Sequence, residues 1–279
     1  MTEQKGRLPK YTFGWKSALI MLAGMMICVI PLSLLSVVSM LSFGKNLQYN
    51  EFYMMLLNAA GLVGAIAAFD YLSCRPETRR PLNFNFGTVN ASAYLMIFPM
   101  MLGMMLIAEF LTSRIPVTGP FFGDMYEMFS RLMEQLSGDI PMMIIMAVFF
   151  APLLEEIIFR GIIMKGLLNK GWQPWKAILL SSVIFGVVHG NPWQFLGAVL
   201  LGCVLGVVYL KTKSLLLPIL LHAFNNLISC LLIIYFKSES FADALKVSEY
   251  AVLGIGIVLF GLFYYLFTRK FRVHFSEPA

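Results

Sequence analysis

Eight apolar runs of about 20 residues each, separated by short polar stretches, organise this chain. They cover 18–41, 52–72, 91–112, 140–166, 174–190, 193–210, 215–236 and 248–268. As a helix, a run of ~20 apolar residues crosses ~30 Å of hydrocarbon. Lipid offers no partner to a backbone N–H or C=O, so the runs are predicted to be helices and not strands. The fifth and sixth are parted only by Gly190-Asn191-Pro192, a tight turn. The expected fold is all-α, a polytopic transmembrane bundle of about eight helices.

The segment 113–139 breaks this pattern. Met125, Met128, Phe129, Leu132, Met133 and Leu136 recur at helical spacing, and acidic and polar residues take the other face. This predicts an amphipathic helix lying in the outer interface, where it would shield the bundle.

Charge then sets an orientation. With the N-terminus in the cytoplasm, inside segments carry fifteen lysines and arginines, from Lys5 and Arg7 to Arg272, and outside segments carry five. That bias places both termini inside. The net charge of +6 is therefore read as topology, and no nucleic-acid partner is expected. Composition agrees: 59% of the residues are hydrophobic and 13% charged, against roughly 25% charged in soluble domains. Cys28, Cys203 and Cys230 lie in apolar runs and Cys74 in a basic loop, a spacing that predicts neither disulfides nor a thiolate metal site. The first apolar run exceeds the about 7–15 residues of a signal h-region and is expected to be retained. Residues 1–279 are read as one integral-membrane domain.

Against that background the polar residues inside the runs need a reason, because each charged group at the bilayer centre costs several kcal/mol. The fourth run, FFAPLLEEIIFRGIIMKG, holds Glu155, Glu156 and Arg160. Neighbouring helix residues point ~100° apart, so the two glutamates diverge. Glu156 and Arg160 share a face and can pair. Glu155 is then left to face a cavity, and Pro152 is expected to kink the helix beside it. The fifth run ends with His189, and the seventh carries His222 and Asn226 on one face. The third histidine, His274, is in the tail and is given no role. Along their helices, Glu155 is ~15 Å from Lys165, His222 ~14 Å from Lys213 and His189 ~20 Å from Lys176, so all three reach similar depths.

A carboxylate, two imidazoles and a carboxamide suit amide hydrolysis. A desolvated glutamate can take a proton from water and return it to the leaving amine, while histidine and asparagine donate to the oxyanion. Glu155, His189 and His222 could instead bind zinc, since two histidines and a glutamate form a catalytic ligand set. The usual H-E-x-x-H helix is absent.

The ordered motifs EEIIFR (Glu155 to Arg160), FGVVH (Phe185 to His189) and HAFNN (His222 to Asn226) resemble the CPBP family of CAAX proteases and bacteriocin-processing enzymes. The resemblance covers about residues 140–230, which it marks as the catalytic core. It implies an intramembrane endopeptidase in which Glu155, with His189, activates water and Glu156 and Arg160 brace the site. His222 and Asn226 would form the oxyanion hole or, in the metal reading, contribute ligands. The family has been described both as metal-free glutamate proteases and as metalloproteases, so a zinc cofactor stays open. The implied partner is a peptide or protein substrate, prenylated or membrane-associated, and the short loops fit a bacterial inner membrane.

Other readings stand beside this one. A non-catalytic immunity or scaffold protein could keep the motifs for folding, and a proton-coupled transporter could use the glutamates as a relay. The transporter reading lacks paired broken helices. Glu156–Arg160 could be a purely structural clamp. Phe185 is expected to pack against the site, Asn225 is assigned no role, and Asp70 and Glu109, near run ends, are expected to be solvated.

Overall fold

A computed structural model describes residues 9–271, apart from the side chains of Tyr49 and Leu136. Lys5, Arg7, Arg272 and His274 lie outside the described residues. The apolar runs become helices in the expected order: α1 (Trp15–Phe43), α2 (Glu51–Thr78), α3 (Ala91–Thr112), α4 (Gly123–Ser137) and α5 (Ile140–Asn169). They continue as α6 (Pro174–Val187), α7 (Pro192–Thr212), α8 (Leu216–Phe236), α9 (Phe241–Leu245) and α10 (Glu249–Lys270). No strand occurs among the described residues.

Seven of these helices are long and apolar enough to cross a membrane, which makes the protein an integral, multi-pass one. The fifth run is the exception. Its helix α6 has 14 residues, about 21 Å at 1.5 Å per residue, too short to span the hydrocarbon. The chain leaves α6 through Val188, and Gly190 at φ +72° turns it into Pro192, where α7 begins. His189 therefore sits on that turn, beyond the helix end.

Packing surrounds α5 with the elements that complete the site. The N-terminal half of α5 lies against α8, its C-terminal half against α6 and α7, and α2 backs it. On the far side of α7, α3 packs against both α7 and α10. Small residues let helices approach closely: α1 and α2 cross at Gly24 and Gly64, where an added Cβ would strike the other backbone. The large apolar side chains left exposed along α1 and α10 suit contact with lipid tails.

The amphipathic α4 forms as the spacing predicts. Phe122, Tyr126 and Phe129 surround the Trp193 ring at centroid distances of 5.0–6.3 Å, which fixes this helix against the start of α7. Met128 and Leu132 remain exposed on another side.

Asp70 and Glu109 differ from the solvated state expected of them. Asp70 accepts two hydrogen bonds from Arg75, at 2.9 and 2.7 Å, and one from the Leu82 amide at 2.7 Å. Glu109 accepts from Ser240 Oγ and from the amides of Phe241 and Ala242, capping the N-terminus of α9 from another helix. Glu109 thereby joins segments distant in the chain, which local sequence does not reveal.

Candidate active site

Helix α5 does not keep one hydrogen-bond register. Its Ala151–Glu156 turn is α-helical, between π-helical turns at Ile145–Phe150 and Ile157–Met164. Such turns are rare and concentrate at functional sites. The first has a cause in Pro152. The Ala151 amide bonds to the carbonyl of Met146, five residues back, which passes over Ala147. The next rung in that register would need an N–H from Pro152, which has none. Asn226 supplies the missing donor, its Nδ2 lying 2.7 Å from the Ala147 carbonyl. The expected local effect of Pro152 is thus a change of register, stabilised by a side chain from α8.

Glu156 and Arg160 pair as their spacing predicts, with Oε1 2.8 Å from Nη1 and both side chains buried. Arg160 Nη2 also donates to the Gly202 carbonyl at 2.9 Å, and its guanidinium lies 5.0 Å from the centroid of the Phe185 ring. Glu156 Oε1 has a second partner that the sequence did not indicate, His222 Nδ1 at 2.9 Å. The pair therefore reaches across to α8 and orients the imidazole. With Nδ1 held by Glu156, His222 Nε2 is 3.8 Å from Glu155 Oε2. That is too long for a direct hydrogen bond and short enough for both groups to face one reacting group. Glu155 retains 20% side-chain exposure, whereas Glu156 has none. The divergence of the two glutamates is realised: one is fully buried in a brace, and one keeps partial exposure.

His189 is fixed differently. Its Nδ1 lies 2.7 Å from the Phe185 carbonyl. A carbonyl only accepts, so Nδ1 carries the proton and Nε2 of the neutral ring presents a lone pair. The turn is stabilised by Asn191, whose Nδ2 donates to the His189 carbonyl at 3.1 Å and whose Oδ1 caps α7. Phe185 packs as expected. Its ring meets His189 and His222 edge-on, at 5.0 and 5.5 Å, so both imidazoles lie against one aromatic wall.

Asn225 also belongs to the site, although no role was expected for it. Its Nδ2 donates to Asn226 Oδ1 at 2.9 Å, which orients the Asn226 amide. One Nδ2 hydrogen of Asn226 goes to Ala147, and the second is available to a ligand. The doubled asparagine in the motif was the available signal.

Glu155, His189 and His222 have suitable donor atoms for zinc. However, no three His, Cys, Asp or Glu side chains are grouped where they could hold a metal ion, among the described residues. His222 Nδ1 and His189 Nδ1 are both engaged by protein groups, which leaves Nε2 of each ring as the atom that could meet a ligand.

Residues 137–228 match the family described as type II CAAX prenyl endopeptidase Rce1-like. YdiL of Bacillus subtilis, described as a candidate membrane peptidase, is 40% identical over 87 residues, 31% of this chain and 35% of that protein. The membrane-embedded CAAX protease MroQ of Staphylococcus aureus is 33% identical over 97 residues, 33% of this chain and 39% of MroQ. An uncharacterised 24.3 kDa protein of Escherichia coli is 34% identical over 76 residues, 26% of this chain and 35% of its own length. The matches thus span a little over a third of these relatives. No solved structure gives a significant match. The family likeness carried by the three motifs holds across 137–228, the segment that contains the whole polar constellation.

Proposed function

We propose that this protein is an intramembrane endopeptidase of the CAAX-protease and bacteriocin-processing type, in which Glu155 activates the hydrolytic water. The observation that carries the reading is the chain from Arg160 through Glu156 to His222, which sets His222 Nε2 3.8 Å from the partly buried Glu155 carboxylate. Family likeness over 137–228 and the relative named as a CAAX protease support the same class.

The steps follow from the groups present. Water bound between Glu155 and the Nε2 lone pair of His189 gives its proton to the Glu155 carboxylate as its oxygen attacks the substrate carbonyl. Negative charge then moves to the carbonyl oxygen. His222, in its protonated form, donates to that oxygen through Nε2 while Glu156 holds Nδ1, and the second Nδ2 hydrogen of Asn226 donates beside it. Protonated Glu155 returns its proton to the leaving nitrogen as the C–N bond breaks, which restores the carboxylate. Glu156 and Arg160 are positioning residues in this scheme, because they act through His222.

Within this reading, residues 140–230 form the catalytic core of a single domain, both termini face the cytoplasm, and the substrate is a peptide or protein at the bilayer. The test uses purified protein with farnesylated and unprenylated peptides. Wild type is expected to cleave, while Glu155→Gln and His189→Ala fold but lose turnover. A wild type that cleaves nothing across a broad peptide set refutes the peptidase reading, and turnover surviving in Glu155→Gln refutes its assigned base.

A further inference from the structure

The second π segment of α5 raises the same hydrogen-bonding problem as the first and solves it with a residue outside the three motifs. The Lys165 amide bonds to the carbonyls of Arg160 and Ile162, so the Gly161 carbonyl, its ordinary α-helical acceptor, is passed over. A buried carbonyl without a donor is costly. The Tyr11 hydroxyl supplies that donor, from the short segment ahead of α1. Ser181 of α6 adds a second side-chain donor to this stretch, at the Phe159 carbonyl, 2.8 Å away.

Tyr11 is held in place independently of Gly161. Its carbonyl accepts from Asn169 Nδ2 at 3.0 Å, and the next amide, Thr12, donates to Glu77 at 2.7 Å. Its ring is buried edge-on to Phe69, at 5.5 Å. Gly166 admits this segment to the α5 surface, since a Cβ there would come within 2.6 Å of Phe13 Cβ and 2.9 Å of its backbone nitrogen. The segment is a strap across the inner end of the catalytic helix, with its hydroxyl aimed at the skipped carbonyl. Burial raises the Tyr11 hydroxyl far above its ordinary titration range, so it stays protonated and donates.

From this geometry we infer that Tyr11 is a positioning residue for Glu155, because its hydroxyl holds the π register of α5. A helix that recovers one rung turns its outer part by one residue, ~100° about the axis. That is also the angle separating Glu155 from Glu156. The register therefore decides which of the two adjacent glutamates faces His222 Nε2. Asn226 holds the corresponding position on the outer side at Ala147, so donors from two distant elements bracket the glutamate pair. The consequence for turnover rests on the peptidase reading; the consequence for Glu155 does not.

The test has two arms. The Glu155 carboxyl band is isolated in infrared spectra as the difference between wild type and Glu155→Gln. Tyr11→Phe is expected to shift it, and fluorotyrosine at position 11, which keeps the hydroxyl, is expected to restore it. In the turnover arm, Tyr11→Phe lowers kcat about tenfold with KM little changed, the scale of one lost buried hydrogen bond. Glu77→Gln, which keeps an oxygen to accept from Thr12 and leaves the Tyr11–Gly161 bond intact, is expected to lower Tm alone. An unshifted band in folded Tyr11→Phe overturns the proposal, and so does a shifted band with unchanged kcat. If Tyr11→Phe does not fold, mono- and difluorotyrosine grade the donor strength, and a band indifferent to the grade is equally fatal. The band needs no substrate, so a wild type that cleaves no peptide would refute the peptidase reading while leaving this arm decisive.

Discussion

Removing the Glu156 charge separates the structural use of the buried brace from its use at the site. In Glu156→Gln, Arg160 keeps the Gly202 carbonyl and the Phe185 ring but loses its counter-ion. Breaking one side of a buried pair costs roughly 3–5 kcal/mol, because an uncompensated charge is left behind. For a chain of this size that lowers Tm by on the order of 10 °C. The double variant Glu156→Gln/Arg160→Met removes the stranded charge. The native pair is imperfectly satisfied, since Glu156 Oε2 and Arg160 Nε are buried without hydrogen-bond partners. A neutral replacement is therefore expected to regain all but about 1 kcal/mol. Activity should not follow stability. His222 has lost the carboxylate that held Nδ1 in both variants, so kcat should fall on the order of a hundredfold or more in each. Thermal unfolding in detergent and peptide hydrolysis at saturating substrate read the two quantities. A double variant that regains wild-type kcat along with Tm would refute the orienting role of Glu156. One that stays as unstable as the single variant would refute the account of the stranded charge.

Three further outcomes are expected. Asn226→Ala removes an oxyanion donor and leaves the Ala147 carbonyl unpaired, so kcat should drop about 100- to 1000-fold and stability by about 1–3 kcal/mol; a loss confined to Tm would deny it a place in the reaction. Glu109→Ala should cost about 1–2 kcal/mol through the lost cap on α9 and leave turnover untouched, as thermal unfolding and kinetics measured side by side would reveal. Hydrolysis is expected to persist after exhaustive treatment with a strict zinc chelator, and a loss restored by added zinc would reassign Glu155 and the histidines as ligands.

Much of the site was legible before any coordinates, because one helix carries strong local rules. Spacing alone paired Glu156 with Arg160 and turned Glu155 away, and depth counting brought His189 and His222 to the level of Glu155. The helix order followed from hydrophobic runs with the same certainty. What spacing missed lies between helices. His222 joins Glu156 and Glu109 caps α9, each across a chain separation that no local period encodes.

The sequence by itself determined a helical membrane bundle and the residues able to do chemistry in it, because lipid forces helices and makes every buried charge conspicuous. It also set the 100° split between adjacent glutamates, which is a property of any helix. Only the tertiary structure decided which groups complete the site. Transmembrane helices are apolar on most sides, so their sequence does not mark the face that packs inward. A carbonyl passed over in a π turn leaves no trace in the residue that carries it. The partners of Ala147 and Gly161 became visible only when α8 and the strap ahead of α1 were placed against α5.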